Sequence, residues 1–219
     1  DPLTGLQTRL ALYQALLRAL ARARNLEIGV GLLTIDLDRF AVLNKTLGRE
    51  EGDRVLIQVA ARLRNALSTL RVGPGQAPGL MMVARIGGNE FALMVTGSIE
   101  SNALAPFART LLDSIAGPLV VGGTEIRLRA SVGIAAADGG LTAPGDLLQH
   151  AETALYEAKR QGGGQVVSYS SSIRGDADHR LGMDRRLREA FESERLFLHY
   201  QPVIEQATRR VLGVEALLR

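Results

Sequence analysis

The sequence predicts an α+β fold in which helices pack on the faces of one mixed β-sheet. Short apolar runs, typical of buried strands, alternate along the chain with longer segments in which apolar residues recur every three or four positions. Two pairs of short runs are joined at a Gly-Gly pair, which is typical of a β-hairpin. The predicted order is helix, strand, two helices, hairpin, helix, strand, helix and strand.

A capped helix, a buried strand and two further helices are predicted at the start of the chain. Thr8 can cap a helix that runs to about Arg24, with leucines at every fourth position. The apolar run 28–35 is too short for a buried helix and suits a central strand. A short helix over 40–47 and a longer one over about 50–70 follow it.

The first hairpin is predicted at the middle of the chain. The apolar runs 80–83 and 92–95 flank the pair Gly87-Gly88. These glycines are expected to take the positive φ of a tight turn, which leaves Asn89 and Glu90 at its far side. Taken alone, the pattern also describes a plain hairpin with a polar tip.

The remaining elements complete one domain, and a further segment follows it. They are a helix over 104–116, a hairpin turning at 122–123, a strand over 130–135, a helix over 144–161 and a strand over 165–169. We place the first domain at 1–169, a polar linker at 170–180 and a second segment at 181–219. In the second segment a charged helix precedes a strand that Pro202 closes.

The composition of the chain excludes several classes of site and partner. Hydrophobic residues make up 46% of the 219 residues, and no apolar run reaches the roughly 18 residues of a membrane span. The chain has no cysteine, which excludes disulfides and thiolate metal sites and fits a cytoplasmic protein. A net charge of +3 with only 4% aromatic residues argues against nucleic-acid binding. The chain does not start like a signal peptide, so we expect a piece of a longer protein.

Carboxylates at a strand end mark the candidate site. Asp36 and Asp38 follow the buried strand and share one face of an extended chain. Buried carboxylates are costly unless they are solvated or bind a partner, so we expect Asp38 to cap the next helix, and metal ligation is one option for Asp36. The turn with Asn89 and Glu90 is expected beside Asp36 in the sheet. Such a place suits Mg²⁺ and the phosphates of a nucleoside triphosphate.

Several motifs in matching order resemble the GGDEF domains of bacterial diguanylate cyclases. Gly87–Phe91 reads Gly-Gly-Asn-Glu-Phe, against a family signature whose third residue is acidic in active members. A second matching string consists of Asp36–Phe40, Asn44, Gly48, Gly52 and Asp53. The resemblance covers residues 1 to about 169. It implies a nucleotidyl-cyclase-like fold with a mostly antiparallel central sheet flanked by helices.

The resemblance implies a metal site and a catalytic pair. A Mg²⁺ or Mn²⁺ ion would be held by Asp36, the Leu37 carbonyl and the residue at position 89. In active members the acid at that position also helps to take a proton when two GTP molecules are joined across a homodimer. Here it is Asn89, whose amide accepts no proton near neutral pH, and Glu90 is the remaining acid. Losing a general base costs on the order of 10²–10⁴ in rate.

The resemblance also implies how GTP would be bound. Asn44 and Asp53 would hydrogen-bond the guanine edge, and Lys159 would reach the terminal phosphates. The other expected nucleotide contacts are Asp36, Leu37, Asp38, Phe40, Gly87 and Gly88. Several family positions are altered, and the product-inhibition motif is replaced by Pro78–Met81. The altered positions are Ala41, Lys45, Arg49 and Gly163.

The tail resembles the start of an EAL domain, the family of cyclic di-GMP phosphodiesterases. Tyr200–Pro202 and Glu215–Arg219 match its opening strand and its signature in order. The resemblance implies that Glu215 ligates a metal and that Gln201 and Arg219 touch cyclic di-GMP. This segment lacks the other carboxylates with which an EAL domain binds metal, so by itself it cannot hydrolyse the dinucleotide.

The sequence thus predicts a degenerate GGDEF domain that binds GTP with Mg²⁺ as a regulatory input to an EAL phosphodiesterase and makes little or no cyclic di-GMP. Two alternatives remain open. One is a weakly active cyclase in which Glu90 covers for Asn89. The other is a structural dimerisation module that binds no nucleotide, which Ala41 and Gly163 favour because both lower phosphate affinity.

Overall fold

The computed structural model describes residues 1–26, 28–69, 80–97, 104–137, 143–170, 197–205 and 209–218. The chain forms two compact units, Asp1–Arg174 and Gly175–Arg219. The predicted linker after its first residue, and the charged helix that follows it, lie outside the described residues. Within the described ranges, no helix is both long and apolar enough to cross a membrane.

The helices of the first unit lie where the sequence predicts them, with ends that differ by at most two residues. They are α1 (Arg9–Leu26), α2 (Phe40–Leu47), α3 (Arg49–Thr69), α4 (Leu104–Ala116) and α5 (Pro144–Arg160). The Thr8 hydroxyl accepts a hydrogen bond from the Ala11 N–H at 3.3 Å, which confirms the predicted cap of α1. The strands are β1 (Gln7–Thr8), β2 (Gly29–Leu37), β3 (Met81–Arg85), β4 (Glu90–Gly97), β5 (Leu119–Val121), β6 (Thr124–Ile126), β7 (Ala130–Ala137) and β8 (Val166–Ser168).

A six-stranded sheet forms the centre of this unit, in the order β1-β3-β4-β2-β7-β8. β2 pairs antiparallel with β4 on one side and with β7 on the other, and β3 pairs antiparallel with β4. The two outer pairs, β1 with β3 and β7 with β8, are parallel. The prediction of a mixed, mostly antiparallel sheet flanked by helices is confirmed. The short hairpin of β5 and β6 forms a sheet of its own.

Alternation along β2 divides the core between the two faces of the sheet. Leu33 and Ile35 belong to the cluster that includes the apolar residues of α3 and α4, while Leu32 belongs to the cluster with α1 and α5. Thr34 lies on the second face, and its hydroxyl donates to the Ala151 carbonyl of α5 at 2.9 Å. The same alternation places Asp36 of β2 on the face that α5 covers.

Gly133 on β7 lets α5 lie on the sheet with no side chain between them. A Cβ at this position would clash with the Ala151 carbonyl oxygen and the Leu155 nitrogen, which are helix backbone atoms. Backbone atoms cannot move aside by a change of rotamer, so a larger residue here would push the helix away. Gly133 therefore fixes how closely α5 approaches β2 and β7.

The turn between β3 and β4, residues 86–89, does not use its glycines as expected. Neither Gly87 nor Gly88 has a positive φ, so that prediction is wrong. A turn of four residues closes without the left-handed backbone that a two-residue hairpin turn needs. Gly87 instead makes room for a neighbouring side chain, because a Cβ there would lie 2.6 Å from Glu90 Oε2.

In the second unit, β9 (Leu198–Ile204) pairs antiparallel with β10 (Val211–Leu218). β9 continues through Pro202, so the prediction that this proline closes the strand is wrong. In a two-stranded sheet about half of the N–H groups of each strand face away from the partner. A proline, which has no N–H, is tolerated at such an edge position.

Candidate functional site

The candidate site lies at the C-terminal end of β2, where Asp36 sits between two neighbouring strands. Its register partners are Glu90, the first residue of β4, and Ser131 on β7. Asp36 is only 5% exposed. The structure therefore places this carboxylate directly beside the β3–β4 turn, as the sequence predicts.

Lys159, in the last turn of α5, forms an ion pair with Asp36. Its Nζ lies 2.6 Å from Asp36 Oδ2, and 40% of the lysine side chain is exposed. Burial raises the pKa of the Asp36 carboxyl above its usual value of 3.8, while the hydrogen bond and the charge of Lys159 act in the opposite direction. The carboxylates of Glu90 and Asp38 add to the rise. Among the residues that the structure describes, Lys159 is thus the neighbour that favours the ionised form of Asp36.

Asn89 is bonded to β2 through both its side chain and its backbone. Its Nδ2 donates to the Leu37 carbonyl oxygen at 3.0 Å. The Leu37 N–H donates in return to the Asn89 carbonyl oxygen at 3.3 Å. An ionised aspartate or glutamate at this position would have no N–H with which to make the first bond. The amide therefore engages the same backbone oxygen that the resemblance marks as a metal ligand.

The β3–β4 turn is held by Arg85 and by the first residues of the chain. The Arg85 guanidinium donates to the Gly88 carbonyl oxygen at 2.8 and 3.1 Å. It also pairs with Asp1, whose Oδ1 lies 3.2 Å from Arg85 Nη1. Asp1 in turn accepts hydrogen bonds from the Thr4 N–H and hydroxyl at 2.9 and 2.8 Å. Both charged side chains are at most 20% exposed, so this series of contacts fixes the turn.

Asp38 does not cap the helix that follows it, so that prediction is wrong. Its Oδ1 accepts a hydrogen bond from Ser131 Oγ, and its Oδ2 accepts one from the Gly164 N–H, both at 2.8 Å. These donors engage both carboxylate oxygens. α2 begins instead after Arg39, which has a left-handed φ of 56° and makes no side-chain cap.

Asn44 and Asp53 lie on either side of the junction between α2 and α3. Asn44 is in the last turn of α2 and Asp53 in the second turn of α3, and both are half-buried. Asn44 Oδ1 is buried and has no hydrogen-bond partner among the described residues. Gly52 leaves the space for it, because a Cβ there would clash with the Asn44 amide. A buried amide oxygen without a partner is costly unless a ligand or water supplies a donor.

The other residues assigned from the sequence are dispersed. Phe40 is 7% exposed and belongs to the core cluster on the face of α3 and α4. Gly88 is exposed, with open space where a Cβ would stand. Gln201 and Glu215 are register partners on β9 and β10 of the second unit. Arg219 lies outside the described residues.

Sequence reasoning does not identify Ser131, Arg85 or Asp1 as part of the site. The role of Ser131 depends on the register between β2 and β7, which no local pattern reveals. Arg85 and Asp1 carry a weak signal. Arg85 is a charged residue directly before a polar turn, and Asp1 begins a segment that contains proline and glycine. At such positions a charged side chain can form hydrogen bonds with exposed backbone groups.

Two of the oxygen atoms at the positions that the resemblance assigns to a metal ion are already bonded within the chain. Asp36 Oδ2 is paired with the Lys159 ammonium, and the Leu37 oxygen accepts from Asn89 Nδ2. In the part of the chain that the structure describes, no three His, Cys, Asp or Glu side chains are grouped as metal ligands. Because Mg²⁺ demands several oxygen donors in near-octahedral geometry, these residues fit the ion poorly.

The sequence of the first unit matches a known family. The profile of the family described as "Diguanylate cyclase, GGDEF domain" matches residues 1–165. All 219 residues align with the bifunctional diguanylate cyclase/cyclic di-GMP phosphodiesterase MucR of Pseudomonas aeruginosa at 34% identity. The cyclic di-GMP phosphodiesterase NbdA of the same organism aligns at 31% identity over 221 residues and likewise covers the whole chain. The chain spans only 30% and 27% of the lengths of these two proteins.

Solved structures show the same fold. A variant of PA1120 (TpbB or YfiN) from Pseudomonas aeruginosa comprising only the GGDEF domain is similar, with a TM-score of 0.73 and 30% identity. The match covers 81% of this chain and 98% of that one. The coiled coil and GGDEF domain of DgcB from Caulobacter crescentus, in complex with c-di-GMP, gives a TM-score of 0.66 and 26% identity, over 77% of this chain and 84% of that one. Residues 1–165 thus form a GGDEF domain, and the chain belongs to the diguanylate cyclase GGDEF family.

Proposed function

We propose that this GGDEF domain binds GTP as a regulatory input to a cyclic di-GMP phosphodiesterase and makes little or no cyclic di-GMP itself. The observation that carries this proposal is the pair of polar groups at the junction of α2 and α3. Asn44 Oδ1 is a buried acceptor with no hydrogen-bond partner among the described residues. The half-buried carboxylate of Asp53, the residue after Gly52 in α3, is a second acceptor. The guanine edge offers N–H donors to such acceptors, which accounts for an arrangement that would otherwise be costly.

The side chain at position 89 supports the loss of synthesis. Asn89 donates a hydrogen bond to the Leu37 carbonyl and offers no group that takes up a proton near neutral pH. Joining two nucleotides requires a base for the attacking 3′-hydroxyl, and losing that base lowers the rate by about 10²–10⁴. The Mg²⁺ or Mn²⁺ ion that the family resemblance implies is not part of this proposal, because the donor set fits it poorly.

The second unit supports a link to a phosphodiesterase. The relatives named above align with this chain through residue 219, and their names include cyclic di-GMP phosphodiesterase. Gln201 and Glu215, the residues that resemble the EAL family, lie opposite each other on β9 and β10. We therefore propose that the GGDEF domain, at 1–169, precedes an EAL domain that begins near 181 and acts on cyclic di-GMP in the cytoplasm. We include a homodimer in the proposal by analogy with the family.

Calorimetric titration of GTP into the chain tests the proposal. We expect micromolar binding that Asp53→Ala weakens at least tenfold, because the substitution removes an acceptor from the guanine edge. The matched control is Asp113→Ala, which removes an exposed aspartate from α4 and should leave the affinity unchanged. Absence of GTP binding by the unsubstituted chain would overturn the proposal and leave a structural dimerisation module as the better reading.

Glu90 favours a second candidate, a weakly active cyclase. It lies opposite Asp36 in the sheet, and its charge contributes to the raised pKa of that residue, so its carboxylate acts within the site. In this candidate Glu90 takes the proton that Asn89 does not accept. Incubation with GTP and Mg²⁺ would then give slow formation of cyclic di-GMP, which Glu90→Gln abolishes and Glu50→Gln, an exposed change on α3, does not. A chain that gives no product at all eliminates this candidate.

A further inference from the structure

Two N–H donors of this chain engage two of the oxygen atoms at which a divalent cation would bind, one carboxylate oxygen of Asp36 and the Leu37 carbonyl oxygen. The Lys159 ammonium lies 2.6 Å from Asp36 Oδ2, and the Asn89 amide nitrogen lies 3.0 Å from the Leu37 carbonyl oxygen. The two acceptors are consecutive residues at the end of β2. One donor comes from α5 and the other from the β3–β4 turn. Both oxygens are therefore satisfied by groups that belong to the chain.

The two donors also change the charge that an incoming cation would meet. An asparagine at position 89 supplies no negative charge, and Lys159 places a positive charge in contact with Asp36. The negative charges that remain near Asp36 are the carboxylates of Glu90 and Asp38. A divalent ion at these oxygens would share the Leu37 carbonyl oxygen with the Asn89 N–H and lie close to the Lys159 ammonium, which repels it. Mg²⁺ is usually held by one or two carboxylates together with substrate phosphates, and the buried Asp36 carboxylate is already paired with the Lys159 ammonium.

Lys159 is also suited to take over one task of the cation. An ammonium group has three N–H donors, of which Asp36 Oδ2 engages one. The lysine side chain is 40% exposed, so part of it is open to solvent. Lysine binds phosphate as a point charge, which is the electrostatic role that a metal ion plays at a triphosphate.

We propose that Asn89 and Lys159 replace the divalent cation in this domain, so that the site takes up neither Mg²⁺ nor Mn²⁺ and binds nucleotide without them. The part that concerns nucleotide rests on the proposed function. The part that concerns the cation does not, because it follows from the contacts of Asp36 and Leu37 alone.

Titration of the chain with Mn²⁺ alone, followed by electron paramagnetic resonance of the free ion, tests the cation part. We expect no binding up to roughly millimolar Mn²⁺ and at least a tenfold gain in affinity in Asn89→Asp, which removes the N–H donor and adds a carboxylate. The control is Gln149→Glu, the same kind of change on an exposed residue of α5 about 15 Å from Lys159 along the helix. It should bind no more Mn²⁺ than the unsubstituted chain.

Two results of this titration would overturn the cation part. One is Mn²⁺ binding by the unsubstituted chain with an affinity equal to that of Asn89→Asp. The other is an Asn89→Asp variant, folded by circular dichroism, that binds no Mn²⁺, since position 89 would then not be what excludes the ion. If Asn89→Asp does not fold, the measurement on the unsubstituted chain decides alone.

A second titration separates this inference from the proposed function. GTP is titrated into the chain in EDTA and again in Mg²⁺, and we expect affinities that agree within about threefold. Binding that is lost in EDTA would overturn the inference while the proposed function stands. Absence of binding under both conditions would overturn the proposed function, and the Mn²⁺ titration would still decide whether the cation is replaced.

Discussion

The side-chain amide of Asn89 donates a hydrogen bond to the Leu37 carbonyl oxygen, and so ties the β3–β4 turn to the end of β2. This contact gives the departure from the family signature a structural role as well as a chemical one. An ionised acid at the same position would face the Leu37 carbonyl oxygen with no proton to donate. The amide at position 89 thus supplies a donor that an ionised acid would lack.

Asn89→Asp is expected to destabilise the domain when no metal is present. The substitution removes a hydrogen-bond donor and leaves two oxygens facing each other, which lowers the free energy of unfolding by about 1–3 kcal/mol. Urea denaturation in EDTA measures the change. The control Gln149→Glu, on the exposed side of α5, should change stability by less than about 0.5 kcal/mol. Equal stability of Asn89→Asp and the unsubstituted chain would contradict the role given to this bond.

Asp36 is expected to make stability fall with rising pH over a defined window. Burial raises its pKa in the folded protein above the usual 3.8, so between those two values the folded state binds more protons than the unfolded state. The contribution of this group to the free energy of unfolding therefore decreases from about pH 3.8 up to the raised pKa and is level above it.

Asp36→Asn removes that dependence on pH, although it also loses the ion pair with Lys159. We expect the unfolding free energy of Asp36→Asn, relative to the unsubstituted chain, to increase as pH rises through the window. Urea denaturation of both proteins at intervals between about pH 3.5 and about pH 7 provides the comparison. Parallel profiles would show that burial does not raise this pKa.

Arg85→Ala is expected to loosen the β3–β4 turn. The substitution removes two hydrogen bonds to the Gly88 carbonyl and a largely buried pair with Asp1, at a cost of about 1–3 kcal/mol in unfolding free energy. Arg127→Ala is the control, because Arg127 is 75% exposed and forms an ion pair with Glu125 in which Nε lies 3.8 Å from Oε1. Such an exposed pair contributes at most about 1 kcal/mol. Chemical denaturation that finds the two variants equally stable would rule out a bracing role for Arg85.

Gly133→Ala is expected to be among the most damaging single changes in the sheet. The added methyl group would meet the backbone of α5 at Ala151 and Leu155, so the helix must move, at a cost of about 3 kcal/mol or more. Gly145→Ala, in the first turn of α5, meets nothing within 4 Å and should be neutral or stabilising by up to about 1 kcal/mol. The melting temperatures of the two variants give the comparison, and a Gly133→Ala protein as stable as Gly145→Ala would contradict the packing described.

The elements that local patterns determine could be predicted from the sequence. Capping, apolar periodicity and glycine stops locate α1 to α5, and the apolar runs around the β3–β4 turn locate the strands that bring Glu90 beside Asp36. These signals depend on residues within a few positions of one another. The family resemblance is likewise local, because it rests on short motifs that occur in matching order.

The contacts of the site could not be predicted in this way, because they join distant parts of the chain. Asp38 accepts hydrogen bonds from residues 93 and 126 positions away, and these outcompete the nearby helix cap that a local rule favours. Lys159 and Asp36 each carry a signal, but their pairing depends on the close approach of α5 to the sheet. The local rule for Gly-Gly hairpins predicts a positive φ at both glycines of the β3–β4 turn, whereas Gly87 in fact makes room for the Glu90 side chain.

The direct backbone contact at Gly133 has a mechanical consequence. No layer of side chains lies between β7 and α5 there to absorb a displacement, so the 17-residue helix Pro144–Arg160 behaves as a stiff rod about 25 Å long. A displacement of either end of this helix would therefore be transmitted along its length to the other end, from Lys159 beside Asp36 to Pro144.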